Sequence, residues 1–370
     1  MNIAKTPRFD DATSSPKLRI LTVADNWQGS DAHAYVKAFE ELGHSVKNVS
    51  PDLVYPSGWR AIHLRAMRRL LSPILARQFS NLIFHEAQQL QPHLFFVFKG
   101  SWVKAATIQK MRDRGAVTIK YFPDVSFMVH GSDIPEAMPH YDWIFTAKTF
   151  GLVDMKRLLN ITNASFLPPS FDPEIHRPVA LDEHDHAKYD CDVSFIGTWS
   201  PKKQWLLEEI AQRLPTVRMK IWGAMWERAG QILGDRIQHR EVFGLEFSKA
   251  MVASKINLCL LSEVRAHASS GDLITSRTFH IPATGAFMLH ERTNEIGEYF
   301  VEDHEDACFG SLDELVQKTD YFLHHHEERT RIAAAGLTRS LTSDYSACAR
   351  ARIVVEKARE LMCGRRQQAA

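Results

Sequence analysis

Hydrophobic residues along the chain fall into short runs separated by longer stretches with helical spacing, and this alternation sets the first expectation about the fold. The opening run, Leu18-Arg19-Ile20-Leu21-Thr22-Val23-Ala24, predicts a strand over 18–24. A loop containing Gly and Ser follows, then a helical stretch ending at Glu41-Leu42, where Gly43 is placed to stop it. Runs at 94–98, 117–121 and 143–147 are short and rich in β-branched or aromatic residues, as strands are. The pattern then breaks. Leu167-Pro168-Pro169-Ser170-Phe171-Asp172-Pro173 fits neither helix nor central strand, because its prolines lack amide donors. The stretch 181–190 is crowded with Asp, Glu and His, so 176–190 reads as a linker. Alternation resumes with strands expected over 192–196, 218–222, 256–261 and 286–289. The end is helical: Ser311-Leu312-Asp313-Glu314 has the form of a capping box, and Leu312, Leu315, Val316, Thr319, Phe322 and Leu323 share one face.

Alternating strands and helices predict parallel sheets covered on both faces. Segments 17–175 and 191–345 are each expected to form a Rossmann-like domain. A helix over 346–363 follows, with disordered ends at 1–16 and 364–370. The length of 370 residues suits two domains better than one core. Two such domains facing across a cleft commonly hold a nucleotide-linked substrate.

Composition narrows the function classes. With 45% hydrophobic and 24% charged residues the chain has the balance of a soluble globular protein. A net charge of +1 offers no field for nucleic acid. The polar N-terminus lacks the apolar core of a signal peptide, and no run approaches the roughly 20 apolar residues needed to span a bilayer. Cys191, Cys259, Cys308, Cys348 and Cys363 are scattered, without a Cys-x-x-Cys pair, which suits a reducing cytoplasm. Over 59–77, Arg60, Arg65, Arg68, Arg69 and Arg77 interleave with Trp59, Ile62, Leu64, Leu70 and Leu71. A plain surface helix is the simpler reading of that stretch, and peripheral contact with anionic lipid at the inner face of the membrane is the alternative.

Three stretches carry candidate chemistry. In Val193-Ser194-Phe195-Ile196-Gly197-Thr198-Trp199-Ser200-Pro201-Lys202-Lys203 a buried strand runs to Gly197, where backbone can approach a ligand. Ser200 suits an N-cap and Pro201 the first helical position. Free amides at that helix start, with Lys202 and Lys203, could take a phosphate; the alternative is an ordinary turn with solvated lysines. Ile221-Trp222-Gly223 repeats the strand-to-glycine device. Trp199, Trp205, Trp222 and Trp226 could wall a base or fill a core; core is favoured for Trp205 and the others stay open. Thirdly, the polar loop 269–275 leads into a helix with Arg277 and His280, whose start offers amides for a diphosphate while Arg277 offers a rigid fork for oxyanions; the alternative is a capped surface helix with an exposed arginine, and chemistry alone does not decide between them. Other signals are discounted. Asp190-Cys191-Asp192 matches an Asp-x-Asp metal motif, but Asp192 opens a buried strand. His324-His325-His326 lies on a helix, where neighbours point apart. No metal site is expected.

These residues together resemble the CgeB-like glycosyltransferases, over about 18–355. The strongest match is Ser276-Arg277-Thr278-Phe279-His280-Ile281-Pro282-Ala283-Thr284-Gly285-Ala286-Phe287-Met288-Leu289 and the following Glu291-Arg292-Thr293. Ser254-Lys255-Ile256-Asn257-Leu258, Asp124 and Asp142 also fit the family pattern. The resemblance implies a GT-B fold, a nucleotide-sugar donor on the C-terminal domain, a glycan, lipid or protein acceptor on the N-terminal domain, and no metal or cofactor. The donor-binding set it supports is Gly197, Thr198, Trp199, Lys202, Lys203, Gly223, Phe243, Gly244, Asp272, Thr275, Ser276, Arg277 and His280, with Arg277, Lys203 and Asp124 as catalytic candidates. At His280 the family usually carries a glutamate expected to hold the donor's ribose, and Asp303 stands where glycine is usual. Metal-independent sugar transfer is therefore the leading expectation. A catalytically silent GT-B module that binds a nucleotide or glycan is the second, and a sugar-nucleotide epimerase the third.

Overall fold

A computed structural model describes residues 16–55 and 62–369, without the side chains of 62–70, 72, 368 and 369. In the N-terminal half β1 (Arg19–Val23), α1 (Asp31–Glu41), β2 (Ser45–Asn48), α2 (Ile62–Leu90), β3 (Leu94–Phe98) and α3 (Ala105–Asp113) lead to β4 (Val117–Phe122). Then come α4 (Asp133–Ala137), β5 (Trp143–Thr146), α5 (Thr149–Leu159) and β6 (Ala164–Phe166). Beyond the proline-rich crossing lie α6 (Glu183–Tyr189), β7 (Cys191–Ile196), α7 (Pro201–Arg213), β8 (Met219–Trp222), α8 (Leu245–Val252) and β9 (Ser254–Cys259). The chain closes with α9 (Ser276–Ala283), β10 (Met288–Glu291), β11 (Ala307–Phe309), α10 (Leu312–His324), α11 (His326–Thr342) and α12 (Ala347–Ala369).

Among the described residues the strands form two sheets, ordered β2-β1-β3-β4-β5-β6 and β11-β10-β9-β7-β8. Every pairing is parallel. Central strands buried on both faces need continuous apolar runs, and Leu94-Phe95-Phe96-Val97 and Val193-Ser194-Phe195-Ile196 supply them. The one polar side chain in the second run, Ser194, donates to Asn257 Oδ1 on β9 at 2.7 Å, so burial leaves it satisfied. Each sheet carries apolar side chains on both faces, giving two cores per domain.

Several local expectations hold. Gly43 sits just past α1 with φ +81, Ser200 caps α7, and Ser311 caps α10 by accepting from the Glu314 amide. The Glu314 carboxylate turns to the Gly310 amide and Arg292 instead of completing the capping box. Others are corrected. The linker 176–190 contains α6, because Asp182 and Asp185 form a capping box and Tyr189 is buried at its end. Trp205 is 50% exposed, whereas Trp222 and Trp226 are 1% exposed and lie in the core: on α7 it is Leu206, Leu207 and Ile210 that turn inward. The tail expected to be disordered from 364 is helical through Ala369, since Arg365 ties it to the Ala116 carbonyl at 3.1 Å and to Asp142 at 2.6 Å. α12 packs on the N-terminal domain, with Ala351, Val354, Val355 and Ala358 buried against Ala34, Tyr35, Ala38 and Phe39. The chain thus crosses between domains twice. Of the stretch 59–77, residues 59–61 and the side chains of 62–70 and 72 lie outside the described residues, as do 1–15.

Candidate functional site

The C-terminal ends of the two sheets face each other across a cleft of ≈ 480 Å³. Loops after β1, β3, β4 and β5 bring Asp25, Lys99, Asp124 and Lys148 from one side. Gly197, Phe243, Gly244, Asp272, Thr275, Ser276, Arg277 and His280 come from the other. This is the crevice outside the carboxyl ends of parallel strands, where α/β proteins place their ligands.

Arg277 is the structural centre of the C-terminal wall. Its Nη1 donates to the Ile196 carbonyl at 3.0 Å and its Nη2 to the Leu260 carbonyl at 2.6 Å, joining the ends of β7 and the β9 segment. The guanidinium lies over the Phe195 ring, 5.2 Å from its centroid. Among the described residues its buried Nε has no hydrogen-bond partner. Gly197 is glycine for a reason other than ligand approach: a Cβ there would stand 2.6 Å from Arg277 Nη1. Gly223, at φ +137, lies against Gly197, with a Cβ position only 2.1 Å from the Gly197 carbonyl oxygen. The two strand-ending glycines therefore make room for one arginine and for each other.

The start of α9 opens into the cleft. Thr275 caps it, exchanging hydrogen bonds with Thr278, and Ser276 and Arg277 form its first turn. Opposite stands Asp31, the first residue of α1, which accepts from Ser276 Oγ at 2.6 Å and lies 3.2 Å from His280 Nε2. Burial pushes the Asp31 carboxyl upward, but His280, Ser276 and Lys148 together hold it below its ordinary value. His280 Nε2 is also 3.0 Å from the Ser170 carbonyl, so both partners are acceptors and this nitrogen carries the proton. The ring stacks on His176 at 3.7 Å and meets Phe247 edge-on. Burial, His280 and Lys37 drive the His176 pKa well below its ordinary value, and its Nδ1 accepts from the Asp172 amide at 2.9 Å. His176 is thus a neutral imidazole.

The helix start of α7, expected to bind phosphate, is already filled. The Glu263 carboxylate accepts from the Lys202 amide at 3.0 Å, placing the protein's own anion where a ligand's would go. Lys202 pairs with Glu291 at 2.8 Å. Lys203 is 5% exposed, donates to the Thr198 carbonyl at 3.3 Å and, through burial and the nearby Arg277, has its pKa lowered to about 8. Trp199 bonds Gln204 at 2.8 Å. Among the predicted donor residues, Thr198, Trp199, Lys202, Lys203 and Gly223 lie outside the cleft lining, while the remaining eight and Asp124 are in it.

On the N-terminal wall Asp124 pairs with Lys99 at 2.7 Å and His130 at 2.8 Å. Although burial pushes its pKa up, His130 and Lys99 hold it well below the usual carboxylate range. Asp25 behaves oppositely: burial and Asp52 raise its pKa, with Lys99 offsetting part. Sequence reasoning missed Asp25, Asp31, Lys99, Lys148 and His176. Lys148 had a legible signal, since it stands at a helix start directly after a strand.

The domains touch through the segment between β9 and α9. Lys148 forms a buried ion pair with Asp272 at 2.6 Å and donates to the Ile274 carbonyl at 3.2 Å. Ser126 Oγ donates to the Ala266 carbonyl at 2.7 Å, and the Ser269 amide to Asp154 at 2.9 Å. On the opposite rim Trp27 meets Phe243 with ring centroids 4.6 Å apart. Asp190-Cys191-Asp192 is engaged structurally: Asp192 pairs with Lys255 and Arg218, and Asp190 with His186. Among the described residues no group of three or more His, Cys, Asp or Glu is placed to hold a metal ion. Likewise no described helix is long and apolar enough to cross a membrane.

Residues 202–356 match the family described as "Glycosyl transferase-like". No curated protein matches the chain. Solved structures do, over nearly the whole length. A glycosyltransferase from Rickettsia africae is 12% identical with a TM-score of 0.63, covering 94% of this chain and 99% of its own. The sucrose-phosphate synthase of Thermosynechococcus elongatus is also 12% identical with a TM-score of 0.63, covering 93% and 99%. Anabaena HepE, solved in complex with UDP-glucose, is 9% identical with a TM-score of 0.63, covering 93% and 100%. At such identities the likeness establishes architecture. The chain has the GT-B fold of two facing Rossmann-like domains, and its second half matches the glycosyl transferase-like family.

Proposed function

We propose that the protein is a metal-independent glycosyltransferase that takes a nucleotide-sugar donor in the cleft, with the diphosphate at the start of α9. The observation that carries this reading is the opening of that helix start, with Arg277 in its first turn, between the facing sheet ends. Breaking the sugar–phosphate bond builds negative charge on the departing diphosphate. Helix amides and a guanidinium held rigid by two carbonyls stabilise that charge without reorganising, which is the work a divalent ion does elsewhere. His280, with a proton on Nε2, would donate to a ribose hydroxyl where a glutamate would accept. The match of 276–289 supports the narrower CgeB-like assignment, and the cytoplasm as the place where nucleotide sugars are met.

The acceptor, a glycan, lipid or protein hydroxyl, would enter beside Asp25 and Asp124. Of the two, Asp25 suits proton removal: its raised pKa makes it the stronger base, whereas Asp124 is committed to Lys99 and His130. Because Asp31 occupies Ser276 and faces the helix start, the domains must separate there for a donor to enter.

One observation favours the silent binding module instead: both acceptors around His280 Nε2 are the protein's own, which leaves that donor engaged. A thermal-shift panel of nucleoside diphosphates and nucleotide sugars, followed by assay of nucleoside diphosphate release with and without chelator, separates the readings. Transfer predicts one nucleotide class that raises the midpoint and turnover unchanged by chelator. Binding without turnover in any acceptor pool would establish the silent module, and no nucleotide binding at all would contradict both.

A further inference from the structure

A second cavity lies at the opposite end of the N-terminal domain. It measures ≈ 750 Å³ and is lined by Arg19, His93, Arg114, Arg365 and Arg366, with no Asp or Glu in its wall. Arg19, His93 and Ala116 stand at the N-terminal ends of β1, β3 and β4, whereas the cleft lies beyond the C-terminal ends of the same strands. A strand of five or six residues separates the two by roughly 17–20 Å.

Arginines gather here partly for a structural reason. Arg19 Nε donates to the carbonyls of Leu90 and Gln91, both at 2.8 Å, and so caps the C-terminal end of α2. Arg365 reaches the Ala116 carbonyl at 3.1 Å and Asp142 at 2.6 Å. Asp142, also paired with Arg112 at 3.1 Å, offsets Arg365 and leaves the other cavity arginines unbalanced. Capping leaves a surplus. Among the described residues Nη1 and Nη2 of Arg19 have no partner, while Nε fixes the plane of the group. The guanidiniums of Arg114 and Arg366 have no partner among the described residues. His93 Nδ1 accepts from the Arg19 amide at 3.1 Å, so its Nε2 carries a proton and is a further donor. Apolar floor is provided by Ala87, Met111 and Met362. In a chain of net charge +1, three arginines around one concavity, Arg19, Arg114 and Arg366, without a carboxylate partner among the described residues make a local anion well. Its volume falls within the range of about 300–1,000 Å³ usual for small-ligand sites.

We infer that this cavity is a second ligand site, distinct from the cleft, for a phosphate-bearing compound whose phosphate is held by Arg19, Arg114 and Arg366. Guanidinium forks match phosphate oxygens in pairs, and the floor accommodates an attached apolar group. The phosphate could belong to a free metabolite or to a lipid headgroup, and two probes tell these apart. The full chain and its Arg114→Ala/Arg366→Ala variant are titrated calorimetrically with inorganic pyrophosphate. Both are also sedimented with vesicles of phosphatidylcholine alone or mixed with phosphatidylglycerol. Both substitutions are at exposed positions, and matching circular-dichroism melts verify the fold. Any binding in the cleft is common to both proteins, so the difference reports the cavity. The expected result is at least tenfold weaker binding by the variant of one probe: pyrophosphate for a free ligand, anionic vesicles for a lipid. Equal binding of both probes by the two proteins overturns the inference.

Discussion

At the scale of single residues the cleft is built around Arg277, and two glycines report how tightly. Gly197→Ala puts a methyl group 2.6 Å from Nη1 and 2.9 Å from Phe195 Cζ, so the guanidinium must leave at least one of its carbonyls. Overpacking of this kind costs about 1–3 kcal/mol. Gly223→Ala meets backbone instead, 2.1 Å from the Gly197 oxygen, and should cost more. Urea unfolding of both variants checks the order; a Gly223→Ala protein as stable as Gly197→Ala would show that the two loops are not packed as described. Lys120 offers a pH test. It is fully buried, donates to the Lys99 carbonyl, and desolvation, aided by Lys99, lowers its pKa to about 7 against an ordinary 10.5. Between those values the unfolded chain binds more protons than the folded one, so this lysine makes stability rise with pH from about 7 towards 10.5. Lys120→Met should flatten that rise in denaturation curves taken at pH 7 and pH 9.5, and an unchanged pH dependence would refute the assignment.

At the scale of elements, the ion pair of Lys148 and Asp272 fastens α5 to the segment before α9 across the domain boundary. Their side chains are 6% and 7% exposed, so removing one partner strands a buried charge. Lys148→Met is expected to cost about 3–5 kcal/mol, and Lys148→Met/Asp272→Leu to recover much of it. A double variant no more stable than Lys148→Met would mean the pair is not coupled. Elements also show what the sequence discloses. Strands with apolar runs on both faces, such as 94–98, were legible to the residue. β2, β6 and β11 were not, because three or four residues at a sheet edge carry too little periodicity. The start of α9 could be read because a polar loop precedes Arg277 and His280. That of α7 misled, since Glu263, which fills it, arrives from 61 residues further along the chain. Asp31 belongs to the other domain, 245 residues from its partner Ser276, a distance over which local pattern says nothing.

At the scale of the molecule, two parallel sheets oppose their C-terminal ends, the proline-rich segment carries the chain across, and α12 brings it back to cover α1. The cleft is therefore walled by both halves. Its closed rim, where α1 meets α9, lies where the donor diphosphate is proposed to bind. Hydrogen exchange with and without the best-stabilising nucleoside diphosphate from the thermal-shift panel locates that binding directly. The account predicts added protection of the backbone amides of 274–280 at the start of α9, with smaller effects at 28–32, where the N-terminal wall moves. Protection confined to the start of α7, or an exchange map unchanged by every nucleotide, would contradict it.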